Sequence, residues 1–296
     1  MRAISELLPP SALARISNLN LVARWIVEGF IAGLHKSPYH GFSVEFAEFR
    51  QYTAGDDLRH FDWKALAKSD RKYIRKYHCE TNMVAHLVLD CSASMNFGAP
   101  ITKLQYGKAV AAALAYLLIL QHDATGVALF SNDVVKYLPP KSTMRHFREI
   151  VTTLEQAQPA TTTNITTTLH YLAETVKRRG LFVIVSDLYD DPQKIVQGLR
   201  HIRFRRHEVV LFHVLDQSEL KFPYVMLTEF KDLETGERVQ VAPTAYREGY
   251  LKAVDEFTAG LRKQCANMLV DYQLIDTSEP FDKVLARYLY KRQQLG

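Results

Sequence analysis

From residue 83 onward, short apolar runs alternate with longer segments whose apolar residues recur every three or four positions. The runs MVAHLVLD (83–90), TGVALF (125–130), GLFVIVSD (180–187), HEVVLFHVLD (207–216) and VDYQLID (270–276) have the length and β-branched content of strands. Helical spacing predicts helices near 103–121, 142–156, 165–179, 191–204, 244–266 and 281–294. Strands this apolar need cover on both faces, so the alternation predicts an α/β fold built on a doubly wound, mostly parallel sheet. One stretch departs from the pattern. FPYVMLTEFKDLETGERVQVAP (222–243) turns around Glu234-Thr235-Gly236 and predicts a hairpin insertion.

The first eighty residues read differently. Leu21, Trp25, Ile26, Gly29, Phe30 and Gly33 lie at helical spacing over 19–34, and SPYHG (37–41) ends that helix. In FSVEFAEFRQY, Phe42, Val44 and Phe46 alternate with Ser43, Glu45 and Ala47, as in a strand, and Gly55-Asp56 marks a turn. The expected organisation is therefore an N-terminal helix with a small β extension (1–80), laid against an α/β domain (81–296).

Composition narrows the class. At 296 residues, 47% hydrophobic and 23% charged, the chain is long enough for one large globular domain. Cys79, Cys91 and Cys265 form no CxxC pair and read as free thiols of a reducing compartment. The N-terminus carries charges and prolines where a signal peptide needs an apolar core. The longest apolar run, at 109–120, is too short for a bilayer span of about 20 residues. A cytoplasmic protein with no membrane span is expected. The formal charge of +5 is mild. The basic run Arg59, Lys64, Lys68, Arg71, Lys72, Arg75 and Lys76 is diluted by Asp57, Asp62 and Asp70, so it reads as a solvated face or a surface for an acidic partner, not a nucleic-acid strip. Arg200, Arg203, Arg205 and Arg206 fall where a helix ends and complement its dipole.

In an open parallel sheet, sites form at the carboxyl ends of strands. Asp90, Ser92 and Ser94 follow the first strand, and Ser186, Asp187, Asp190 and Asp191 follow the third. Thr161, Thr162, Thr163, Asn164 and Thr166 precede a helix between them. All of these offer hard oxygen, a chemistry suited to magnesium or manganese and not to zinc. The enzyme motifs are missing. Ser92 has no flanking GxSxG glycines, and the residue two after Asp90 is a serine where DxD phosphatases carry the acid/base carboxylate. Neither a phosphate-binding P-loop nor GxGxxG occurs. Cys91 has no nearby base and reads as a small buried hydrophobe.

DCSAS, with Asp90, Ser92 and Ser94, resembles the DxSxS signature of the von Willebrand factor type A fold. TTTNITTTL resembles the second loop of that family and implies Thr163 as a metal ligand; VSDLYDD resembles the third and implies Asp187. The resemblance implies a metal-ion-dependent adhesion site (MIDAS) holding magnesium, with manganese or calcium as substitutes. Upstream, Tyr52, Gly55, Asp56, Asp57, Arg59, Asp62 and Trp63 resemble the YxxGDDxRxIDW motif of domain-of-unknown-function family 58, with Phe61 in the isoleucine position. From the residues alone, Asp56, Asp57 and Asp62 read as structural, satisfying turn amides and pairing with Arg59. Members of that family are commonly encoded with MoxR-type AAA+ ATPases. The resemblance thus implies a non-enzymatic, metal-dependent protein-binding adaptor that works with such a motor on a client protein. The alternative is a metal-dependent phosphohydrolase using the same acidic strand ends.

Overall fold

The computed structural model describes residues 18–34, 49–51, 73–75, 83–160 and 164–295. Of the strand expected within FSVEFAEFRQY (42–52) only Phe49–Gln51 is described, as a strand; the rest of it, the motif from Tyr52 to Trp63 and most of the basic run lie outside the described residues. In chain order the elements are α1 (Leu19–Leu34), β1 (Phe49–Gln51), β2 (Tyr73–Arg75), β3 (Val84–Asp90), α2 (Lys103–Leu120), β4 (Ala124–Phe130), β5 (Val134–Lys141) and α3 (Met144–Gln156). Then come α4 (Ile165–Thr175), β6 (Leu181–Ser186), α5 (Pro192–Phe204), β7 (Glu208–Leu215), α6 (Gln217–Lys221), β8 (Thr228–Lys231), β9 (Arg238–Val241), α7 (Pro243–Asn267), β10 (Asp271–Asp276) and α8 (Phe281–Leu295).

Six strands form the central sheet in the order β10-β7-β6-β3-β4-β5. All are parallel except β5, which runs antiparallel to β4. Side chains alternate between two cores, as a pleated strand requires. Ala85, Leu87 and Leu89 of β3 pack with α1, α2, α3 and α8, while Val88 packs with α4, α5 and α7 on the other face. The chain leaves β3 toward β4 on one side and returns to β6 on the other. The crevice between the carboxyl ends of β3 and β6 is therefore the topological switch point, where ligands of such sheets bind.

Beyond its first turns, which carry Lys103, Gln105 and Lys108, helix α2 is apolar on every face because the sheet, α1, α3 and α8 cover it. By length and composition it could cross a membrane, yet most of it is buried within the domain. A Cβ on Gly107 would lie 2.9 Å from Leu89 Cδ1 and 3.2 Å from Val185 Cγ1, so a glycine lets this helix sit close on the sheet. Val22, Ala23, Ile26 and Val27 of α1 belong to the same core.

Three details differ from the sequence reading. Strand β5 was not expected, since Pro139 and Pro140 remove two backbone donors. As a half-exposed edge strand with register shifts it does not need them. Helix α4 stops at Thr175, short of the expected 179, and Lys177, Arg178 and Arg179 form an exposed connection into β6. The five-residue α6 was also unforeseen. The predicted hairpin is present as β8 and β9, its turn held by Asp232 Oδ1, which accepts from the amides of Glu234 and Thr235.

Candidate functional site

Strand β3 ends at Asp90, which is fully buried. Its Oδ1 accepts from the Ser92 amide at 2.8 Å, turning the chain sharply off the strand end. Its Oδ2 accepts from the Ser186 hydroxyl at 2.6 Å, tying β3 to β6 across the switch point. Ser92 is buried and Ser94 half-buried, with their hydroxyl oxygens 2.9 Å apart. Asp187, the residue after β6, is also buried. Behind it Leu188 holds the left-handed conformation at φ 58°. That backbone is costly for a side chain larger than glycine and is held here by the Leu188 amide donating to Ser186 Oγ at 2.9 Å.

Four of the five residues implied by the sequence, Asp90, Ser92, Ser94 and Asp187, are thus gathered at one strand-end crevice. Thr163 lies outside the described residues. Its flanks are placed: the Ala160 amide donates to the Cys91 carbonyl at 2.7 Å, and the Asn164 amide donates to the Ser131 carbonyl at 3.0 Å. Asn164 then caps α4 by accepting from the Thr167 amide.

A lysine completes the arrangement, and the sequence reading did not single it out. Lys103 is fully buried, and its Nζ donates to Asp187 Oδ2 and Glu219 Oε1, both at 2.7 Å. Tyr189 lies beside the ammonium, 4.7 Å from ring centroid to Nζ, and donates its hydroxyl to the same Glu219 oxygen. Glu219 is fixed in turn by accepting from the Asp216 amide at the start of α6. One clue was available. Lys103 is the first residue of a helix capped by Thr102 and Gln105, a position where a cation opposes the helix dipole.

Charge at the site follows from burial. Desolvation first, and the neighbouring Asp187 charge second, raise the Asp90 carboxyl to about 7, against the pull of hydrogen bonds from Ser186 and Ser92. Burial works to lower the Lys103 ammonium, but Asp187 and Glu219 outweigh it and raise its pKa, so it stays charged. Burial raises Glu219, with Lys103 opposing. His213 on β7 is neutral, burial lowering it to about 4. Its Nε2 donates to the Asp187 carbonyl at 3.0 Å, and its Nδ1 accepts from the Tyr272 hydroxyl at 2.7 Å. Burial pushes the Cys91 thiol up to about 12, which leaves it inert.

Two observations bear on whether this donor set fits a cation. Asp187 Oδ1 is buried and has no hydrogen-bond partner among the described residues, while its other oxygen accepts from Lys103. Among the described residues no group of three or more His, Cys, Asp or Glu side chains is placed to hold a metal. An ion here would therefore rely on hydroxyls beside two carboxylates, a hard-oxygen set that fits magnesium.

A doubly wound sheet with an antiparallel edge and a DxSxS loop at its switch point is a von Willebrand factor A-like domain. The chain belongs to the family described as "Protein of unknown function DUF58", whose profile matches residues 48–259. Uncharacterized proteins of Mycobacterium bovis and Mycobacterium tuberculosis (strain H37Rv) are similar, each 28% identical over 231 residues, or 77% of this chain and 72% of theirs. Among solved structures, the conserved hypothetical protein BatB from Bacteroides thetaiotaomicron superposes with a TM-score of 0.51 at 16% identity, over 72% of this chain and 99% of that one. The SpRpn10 VWA domain gives a TM-score of 0.42 at 9% identity, over 69% and 94%.

Proposed function

We propose that this protein is a non-enzymatic adaptor that captures an acidic group of a partner protein through a magnesium ion held at the carboxyl ends of β3 and β6. The observation that carries this reading is the buried Asp187 Oδ1, which has no hydrogen-bond partner among the described residues, beside Asp90 in the crevice with Ser92 and Ser94. A buried carboxylate oxygen without a donor is costly unless something else satisfies it. The hydroxyls of Ser92, Ser94 and Thr163 and the carboxylates of Asp90 and Asp187 would hold the ion. Bound there, it would supply Lewis acidity and an open position for a partner carboxylate. Lys103 does not forbid a cation, because Glu219 offsets its charge.

Two features weigh against the phosphohydrolase alternative. Both nitrogens of His213 are engaged, and Lys103 is gripped by two carboxylates, so neither is free to act as a base. Membership of the DUF58 family supports a MoxR-type AAA+ ATPase as the motor partner, with a client protein as its object. The test is partner capture by the full chain with magnesium and with EDTA, in the wild type and in Asp90→Ala. Capture that requires magnesium and is lost in the variant supports the reading, whereas capture unchanged in EDTA would sink it. Turnover of phosphate esters with magnesium or manganese, lost in Asp90→Ala, would overturn the non-enzymatic assignment.

A further inference from the structure

The end of the sheet opposite the site carries a different surface. The connections entering β6 and β7 meet there: the Glu208 amide donates to the Gly180 carbonyl at 2.9 Å, and the Gly180 amide donates to His207 Nδ1. Arg203 Nε donates to the Met268 carbonyl at 3.0 Å and brings the turn before β10 alongside. Three exposed connections thus form one edge. Two of its cations are neutralised, Arg179 by Glu208 and Arg205 by Glu174. Lys177, Arg178 and Arg206 are exposed and make no ion pair among the described residues. Among them stand two large apolar side chains, Phe204 at 83% and Leu269 at 78% exposure.

We infer that this amino-terminal edge is a docking surface for an anionic lipid bilayer, which the domain engages peripherally. Unpaired cations attract a negatively charged leaflet, and apolar side chains that protrude beside them enter the boundary between headgroups and acyl chains. The apolar pair decides between anionic partners. A nucleic-acid duplex would satisfy the cations but could bury a phenylalanine and a leucine only by unstacking its bases, whereas a bilayer takes both without deformation and without a pocket shaped for either. The orientation that results is specific. β6 is six residues long, so the edge lies roughly 20 Å from the crevice at Asp90 and Asp187, which would face away from the membrane toward soluble partners.

Co-sedimentation of the full chain with vesicles tests the inference, using phosphatidylcholine alone and phosphatidylcholine with about one-third phosphatidylserine. Binding is expected only to the anionic vesicles and should fall steeply with added salt. Arg178→Glu combined with Arg206→Glu should lower partitioning by well over tenfold, since each neutralised cation alone accounts for about fivefold. Phe204→Ser combined with Leu269→Ser should lower it roughly tenfold while leaving the thermal midpoint unchanged, because both side chains are exposed. Asp90→Ala should bind vesicles like the wild type, so this result stands apart from the fate of the metal-site reading. Equal binding to neutral vesicles, no sedimentation, or an unaffected serine pair would each overturn it.

Discussion

Replacing Asp90 with asparagine removes a buried charge while keeping the shape of the side chain, and the surroundings of that carboxyl set the size and sign of the effect. In the unfolded chain it ionises near 3.8; in the fold, burial and the Asp187 charge move it to about 7. Between those values the native state binds more protons than the unfolded state, so the wild type loses stability as pH rises through the window. At about 1.4 kcal/mol per pKa unit, the ionised carboxylate costs the fold up to about 4 kcal/mol above neutral pH. Asparagine recovers only part of this. Oδ2 accepts from the Ser186 hydroxyl, and an amide placed there must find an acceptor. A gain of roughly 1–3 kcal/mol at about pH 8, vanishing toward about pH 4, is expected. Urea unfolding of both proteins in EDTA across that range measures it, and the difference between them cancels the titration of groups distant from the Asp90–Asp187 pair. Magnesium should then restore stability to the wild type and leave Asp90→Asn unmoved. A difference that does not change with pH, or a variant less stable than wild type at about pH 8, would refute the electrostatic account.

Lys103→Met should destabilise the protein by about 3–5 kcal/mol, because it strands Asp187 and Glu219 without their shared cation; combining it with Glu219→Gln should cost less than the single change, as read by denaturant midpoints. His86 and His213 are both buried and lowered to about 4, burial being the main cause. The unfolded chain takes up those protons near 6.5, so stability should fall as pH drops from about 6.5 to about 4, by up to about 3 kcal/mol per histidine. His86→Phe should flatten part of that slope. Gly180→Ala should be harsher than Gly107→Ala: its Cβ would come within 2.4 Å of the Val84 carbonyl oxygen, which is backbone, whereas Gly107 meets the tip of the Leu89 side chain. Thermal midpoints of the two variants rank them directly. Cys91 should resist thiol reagents in the native protein and react only on unfolding.

Which features were legible in advance depends on which interactions are local. Asp90, Ser92 and Ser94 were readable because a strand end and the turn after it are contiguous, and Asp187 because it ends the equivalent strand β6. The edge strand β5 was not, since its prolines contradict strand propensity and only its position beside β4 makes them harmless. Lys103 escaped for another reason. It looks like an ordinary solvated lysine until Asp187, 84 residues away, and Glu219, 116 residues away, close on it.

By itself the sequence determined the architecture: the nearly unbroken apolar character of β3 and β6 and the long apolar run 109–120 of α2 leave few arrangements other than a covered, mostly parallel sheet. It also made the strand-end loops legible as rich in side-chain oxygen, because Asp90, Ser92, Ser94 and Asp187 adjoin strands that the apolar pattern places. Only the tertiary structure decided the electrostatics. Burial sets the charge of Asp90, and the ammonium of Lys103 claims one oxygen of Asp187 and leaves the other without a donor among the described residues. Desolvation and pairing depend on which distant groups are excluded from water together, and that is a property of packing that no single stretch of chain contains.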